Sequence, residues 1–187
     1  MIPSRQDSRF NILLIQPPIR DFYLTAKRTI PYGLASIASG LIEAGFCVQI
    51  LDALSTAKSR LVDLPPEMDY LQRFYGRPDQ SAFALFHHFK HFGYSFDTIG
   101  QRVKKAQPFL VGISSLFSAY ANEAALTAKI VKTYHPNCKI VVGGHHATAM
   151  PARVMESGAV DFVMRGEGEA SMVRLAKAVV NGAGYED

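Results

Sequence analysis

The chain has 187 residues, 48% hydrophobic and 19% charged, which suits a globular domain that buries its own core and excludes a disordered chain. No apolar run reaches the ~20 residues that span a bilayer, and the opening MIPSRQDSRF has no apolar stretch behind its charges, so a cytoplasmic protein with no membrane partner is expected. The net charge of +4 comes from scattered basic residues, densest at Arg102, Lys104 and Lys105, whereas nucleic-acid binders gather theirs on one face, so no nucleic acid is expected.

Asn11 to Gln16 is a short apolar run stopped by Pro17-Pro18. Such a run, apolar on both faces, reads as a buried parallel strand. The polar and aromatic stretch to Thr29 reads as a loop. Pro31 opens a helix in the position proline prefers. Its apolar face is Leu34, Ile37, Ala38, Leu41 and Ile42, with the i, i+3, i+4, i+7 spacing of a helix. Gly45 ends it, and Phe46 to Leu51 forms a second strand closing at Asp52.

The alternation resumes after an interruption from Ala53 to Phe96, which is too long for a structureless connection. A helix is expected over Gln80 to Phe92 and another over Asp97 to Ala106. Phe109 to Ser114 is a third strand, and Ala119 to Tyr134 a helix stopped by Pro136. Lys139 to Gly143 is a fourth strand, Pro151 to Gly158 a short helix, and Val160 to Met164 a fifth strand. Met172, Leu175, Ala176, Val179 and Val180 mark the last helix.

Alternating strands and helices imply a parallel sheet with right-handed crossovers. The expected fold is α/β and flavodoxin-like (Rossmann-like), a doubly wound five-stranded sheet of order 2-1-3-4-5. Residues 1–187 form one domain in this reading, and 53–96 are a helical insertion packed on it.

Cys47 and Cys138 make no C-x-x-C spacing and are expected as two buried, reduced thiols. His87, His88 and His91 lie in Phe-rich sequence, with His87 and His91 one helical turn apart. That spacing can hold a metal, but no carboxylate or cysteine accompanies them, and an amphipathic aromatic helix is the simpler reading. Glu167 and Glu169 could do acid–base work; an acidic helix start explains them better.

In an open α/β sheet, ligands sit beyond the carboxyl ends of the strands where the order reverses. Here that place falls between strands one and three. The loops are Gln16 to Ile30, Ser114 to Ser118 with Ser115, Leu116 and Phe117 between, and Gly143 to Met150. Ser114 can donate to a ligand ring or cap a turn. Gly143-Gly144 omits two Cβ atoms, so a flat group can approach the backbone.

The sequence Ile15-Gln16-Pro17-Pro18, then Pro31-Tyr32-Gly33-Leu34-Ala35, Gly112-Ile113-Ser114, Val142-Gly143-Gly144-His145-His146-Ala147 and Asp161 through Arg165-Gly166-Glu167-Gly168-Glu169 resembles the N-terminal cobalamin-binding domain of radical S-adenosylmethionine enzymes. That family includes the anaerobic magnesium-protoporphyrin monomethyl ester cyclases and several methyltransferases. The resemblance implies bound cobalamin with its nucleotide tail in the sheet crevice. The wider fold carries D-x-H-x-x-G after strand one, S-x-L after strand three and G-G after strand four. Ser114-x-Leu116 and Gly143-Gly144 match, but the loop from Pro17 to Ile30 has no histidine, so cobalamin would be held base-off without a histidine from that loop.

By the same resemblance Ser114 meets the tail base and Gly143-Gly144 lets it slide beside strand four. Phe22, Tyr23 and Leu24 cover the lower corrin face, and His145 and His146 sit at its edge. The Gly166, Glu167, Gly168 stretch meets the tail or a neighbouring domain. The C-x-x-x-C-x-x-C that holds a 4Fe-4S cluster for S-adenosylmethionine cleavage is missing. The chain is therefore expected to be the cofactor-binding part of a longer protein whose radical domain lies C-terminal, and to turn over nothing alone. The competing readings are an FMN or other nucleotide module, which would want a Ser/Thr/Gly-rich loop where Pro17 to Tyr23 stands, and a protein-interaction domain that has lost its ligand.

Overall fold

The computed structural model describes residues 11–23, 30–75 and 88–182. Along the chain the strands are β1 (Asn11–Gln16), β2 (Ile19–Asp21), β3 (Cys47–Asp52), β4 (Ser59–Leu61), β5 (Lys90–Phe92), β6 (Leu110–Ser114), β7 (Lys139–Gly143) and β8 (Phe162–Met164). The helices are α1 (Tyr32–Glu43), α2 (Gln72–Tyr75), α3 (Phe96–Ala106), α4 (Ala121–Tyr134), α5 (His145–Ala149), α6 (Pro151–Met155) and α7 (Glu169–Asn181). They fall into two compact units, one of residues 1–17, 30–52 and 95–187, the other of 18–29 and 53–94.

The larger unit holds a five-stranded sheet ordered β3-β1-β6-β7-β8, with each neighbouring pair parallel. Counted along the chain, these strands run 2-1-3-4-5. β1 lies between two neighbours, and Ile12, Leu13, Leu14 and Ile15 are all buried, which is why its sequence is apolar at every position and not only at alternate ones. β3 is an edge strand and is mostly exposed.

One face of the sheet carries α1 and α7. Ile12, Leu14, Leu110 and Val141 pack there against Leu34, Ala38, Leu41, Met172 and Ala176. Gly112 belongs to this face: a Cβ there would lie 2.7 Å from Leu14 Cδ2 and 3.2 Å from Met172 Cε, so its missing side chain leaves room for α7. A fully buried leucine such as Leu41 contributes about 1.5–3 kcal/mol by leaving water. The alternate residues of β6 and β7 face the other way, towards α3 and α4, which pack on each other. Ile99 and Val103 of α3 and Ala124, Ala128 and Val131 of α4 are buried. The ring of Tyr134 fills the place a side chain at Gly100 would take.

The amino ends of β7 and β8 are tied by charge. Lys132 Nζ donates to Asp161 Oδ2 at 2.7 Å and to the Cys138 carbonyl at 2.8 Å. The Ile140 N–H donates to the same carboxylate at 2.8 Å. Burial draws the Asp161 carboxyl upward, but these donors outweigh it and hold it below the ordinary carboxylate value.

The smaller unit holds a three-stranded antiparallel sheet, β2-β5-β4. Phe92 and His91 of its central strand are buried, and His91 Nε2 lies 2.9 Å from the Tyr94 carbonyl. Gly93 follows with φ +107, where a Cβ would meet the Ala53 carbonyl oxygen at 2.5 Å. Only glycine suits that turn.

Several expectations are corrected here. The insertion is not simply helical: its described residues include strands β4 and β5, a 3₁₀ turn over Pro66–Leu71 and the short α2. Of the helix expected over Gln80 to Phe92, residues 80–87 lie outside the described residues, and Lys90–Phe92 is strand β5. Pairing on both edges, with Ile19–Asp21 and Ser59–Leu61, overrides a helical spacing of aromatic residues. The one-turn separation of His87 and His91 therefore does not apply, and His87 is outside the described residues. Cys47 is exposed, because it starts the edge strand; Cys138 is buried. The third and fifth strands begin at Leu110 and Phe162, slightly later than the apolar runs suggest. Among the described residues no helix is long and apolar enough to cross a membrane.

Candidate functional site

The crossover from β1 leads through α1 to β3 on one side, and the chain then returns to β6 on the other side of β1. The strand order thus reverses between β1 and β6, the place where sheets of this kind bind ligands at the carboxyl ends of their strands. Gln16-Pro17, Ser114 and Gly143 border it.

Ser114 stands directly opposite Gly143 in the β6–β7 ladder. Two residues beyond Gly112 and Val141 respectively, both share the α1/α7 face. Ser114 is half-buried, and its hydroxyl makes no hydrogen bond to another described residue. A Cβ on Gly143 would meet only Met164, at 3.6 Å from its Cβ. A hydroxyl donor and a bare stretch of backbone therefore lie side by side on one face.

The next residues lock the two loops together. The Ser115 N–H donates to the Gly143 carbonyl at 2.7 Å, and the His146 N–H donates to the Ser115 carbonyl at 3.1 Å. Gly144 passes between them at φ +112, and a Cβ there would lie 2.7 Å from Ser115 O. Of the two histidines expected at the rim, His145 is exposed, while His146 is only 5% exposed. His146 Nδ1 lies 2.9 Å from Ser118 Oγ, a tie between the β6 and β7 loops that no spacing in the sequence signals. Leu116, Phe117 and Met150 stand exposed beside these loops, an apolar rim.

The Gly166 N–H, at φ +70, donates to Thr148 Oγ1 at 2.9 Å, so that amide is engaged within the protein. Glu167 is exposed. Gly168 caps α7 and lies so near α1 that a Cβ would meet Ile37 Cδ1 at 2.9 Å. Glu169 opens α7 and accepts a hydrogen bond from Ser36 Oγ at 3.0 Å, as an acidic helix start would. Pro17 is buried at the end of β1. Phe22 and Tyr23 belong to the smaller unit, their rings 5.0 Å from Phe89 and 6.4 Å from Phe92. Leu24 lies outside the described residues.

The profile of the B12 binding domain family matches residues 84–176, from before β5 into α7. The chain carries a B12-binding domain. The matched stretch includes Ser114, Gly143, Gly144 and Gly166. Over 163 residues, 87% of this chain, it is 30% identical to cytidylyl-2-hydroxyethylphosphonate methyltransferase of Streptomyces wedmorensis, of which it spans 27%. Over 86 residues, 45% of this chain, it is 35% identical to the anaerobic magnesium-protoporphyrin IX monomethyl ester cyclase of Cereibacter sphaeroides, of which it spans 14%. The fold is shared with the radical S-adenosylmethionine methyltransferase TsrM of Kitasatospora setae, solved with cobalamin and a [4Fe-4S] cluster bound; the TM-score is 0.63 at 16% identity, over 94% of this chain and 25% of that one. The chain thus spans between 14% and 27% of the length of these relatives.

Proposed function

We propose that the strand-end crevice holds cobalamin, with the nucleotide tail lying on the α1/α7 face between Ser114 and Gly143. One observation carries this reading: Ser114 and the Cβ-free Gly143 are partners in the ladder and share one face of the sheet. The tail ends in a flat heteroaromatic base, which needs one hydrogen-bond donor or acceptor and a surface without side chains. Ser114 supplies the first and Gly143 the second. The exposed Leu116, Phe117 and Met150 offer an apolar border for the corrin ring, and His145 stands free at the rim to meet its amide arms.

The loop of residues 17–30 contains no histidine. A tail held in the crevice takes its base off cobalt, and no histidine from that loop is there to replace it. The Glu167 and Gly168 stretch is a candidate contact for a further domain. Bound cobalamin supplies cobalt–carbon chemistry; the residues of this chain bind it, orient it and cover it.

The names of the relatives favour a methyltransferase or a cyclase as parent protein, and the sequence resemblance favours the radical S-adenosylmethionine class. No C-x-x-x-C-x-x-C occurs in these 187 residues. The 4Fe-4S cluster and S-adenosylmethionine would belong to a C-terminal domain, and residues 1–187 would serve as its cobalamin-binding domain.

Titration with hydroxocobalamin, followed by gel filtration and a visible spectrum, tests this. The reading predicts co-elution with a base-off spectrum. A base-on spectrum contradicts the buried tail. Failure of cobalamin to co-elute contradicts the binding itself and favours a protein-interaction module.

A further inference from the structure

A cavity lies on the opposite face of the sheet from Ser114. It is lined by Ser115 and Val142 at the strand ends, Ala121 and Ala125 of α4, His146 of α5 and Val154 of α6. All of these belong to the larger unit. The alternation of β6 separates the two places: Ser114 shares the face of Gly112 and Met172, whereas Ser115 turns towards α4. Alanines on α4 leave the space that larger side chains would close.

Two independent features make this a site. The first is the cavity itself, of about 60 Å³, whose lining includes the exposed Asn122 and Arg153. The second is Ser115 Oγ. Ser115 is only 3% exposed, and its hydroxyl has no hydrogen-bond partner among the described residues. Its backbone groups are engaged with Gly143 and His146, so the residue is held in place while its hydroxyl stays unsatisfied. A buried hydroxyl left without a partner costs about 1–3 kcal/mol. Arg153 is paired, its Nη1 2.9 Å from Glu156 Oε2, so among the described lining residues no unpaired lysine or arginine stands ready to select an anion.

We infer that this cavity is a hydration site: ordered water bonds to Ser115 Oγ and continues outward towards Asn122. A water needs roughly 10–15 Å³ of such volume, so about four fit in a file or cluster. The cavity is far below the ~300 Å³ of an ordinary small-molecule pocket, and its valine and alanine walls offer a larger ligand few polar contacts. Because the site lies on the opposite face from Ser114, its water is present with or without cobalamin. The polar end at Ser115 keeps the cavity wet where a wholly apolar one would stay dry.

A crystal structure of the unliganded chain at about 1.5 Å or better tests this, with Ser115→Ala and Ser115→Val beside it. The wild type is expected to show a water within 3.2 Å of Ser115 Oγ. Ser115→Ala is expected to lose that innermost water while retaining the fold, and Ser115→Val to displace it without lowering the thermal midpoint. A wild-type cavity that is dry, with Ser115 Oγ turned onto a backbone carbonyl, would overturn the inference. So would an organic solute bound there in place of water. Failure of hydroxocobalamin binding leaves this result untouched, since the wild-type density is read without cofactor.

Discussion

A Cβ at Gly144 would stand 2.7 Å from the carbonyl oxygen of Ser115. That closeness joins the loops after β6 and β7 into one piece, because the same carbonyl accepts the His146 N–H. The backbone at Gly144, φ +112, is also one that other residues rarely adopt. Gly144→Ala combines the clash with backbone strain and is expected to cost about 2–4 kcal/mol. Urea unfolding checks this. An unchanged midpoint would show that the loops can separate at no cost.

Ser114 makes no hydrogen bond to another described residue, so its hydroxyl is free to serve a ligand. Ser114→Ala is expected to weaken cobalamin about three- to tenfold, the worth of one net hydrogen bond, and to leave the thermal midpoint nearly unchanged. Gly143→Val is expected to weaken it further by occupying the surface the base would use. Equilibrium dialysis reads both. A Ser114→Ala variant that binds as the wild type does would remove Ser114 from the site.

The fold was largely legible in the sequence, and the site only in part. The strands of the large sheet carry dense apolar runs, because β1, β6 and β7 are covered on both faces, and their alternation with helices gives the strand order. The smaller unit was not legible in the same way. Lys90–Phe92 becomes a strand through partners some 30 and 70 residues away in sequence, which local spacing cannot encode. At the site, Gly143 and Ser114 stood out as residue types with a purpose. The inward turn of His146 onto Ser118 did not, since nothing in His145-His146 distinguishes the exposed ring from the buried one.

The two cysteines differ in surroundings and should differ in reactivity. Cys47 is exposed, while Cys138 is buried. Burial pushes the Cys138 thiol up to about 11, and the thiolate is the reacting form. A disulfide reagent at pH 8 is expected to titrate one thiol quickly in the native chain and the second only after unfolding. Two fast thiols would show that the start of β7 opens readily.

Asp161 links Lys132, Lys139 and the Ile140 N–H. Its carboxyl is held below the ordinary value in the folded chain. Its contribution is therefore present above the unfolded carboxylate pKa, near 4, and is lost as pH falls through the lower folded value. Asp161→Asn is expected to cost about 1–2 kcal/mol at pH 7, and the gap to wild type should narrow below pH 4. A gap that widens on acidification would reverse the sign of this linkage.

The central claim is that the nucleotide tail lies in the protein beside Ser114 and Gly143. Equilibrium dialysis of the wild-type chain against cobalamin and against cobinamide, which lacks the nucleotide tail, tests it most directly. Cobalamin is expected to bind at least tenfold more tightly, since burial of the base and its hydrogen bond supply more than ~1.4 kcal/mol together. Equal retention of the two would contradict the account, because the corrin ring alone would then carry the affinity and no tail would lie beside Ser114 and Gly143.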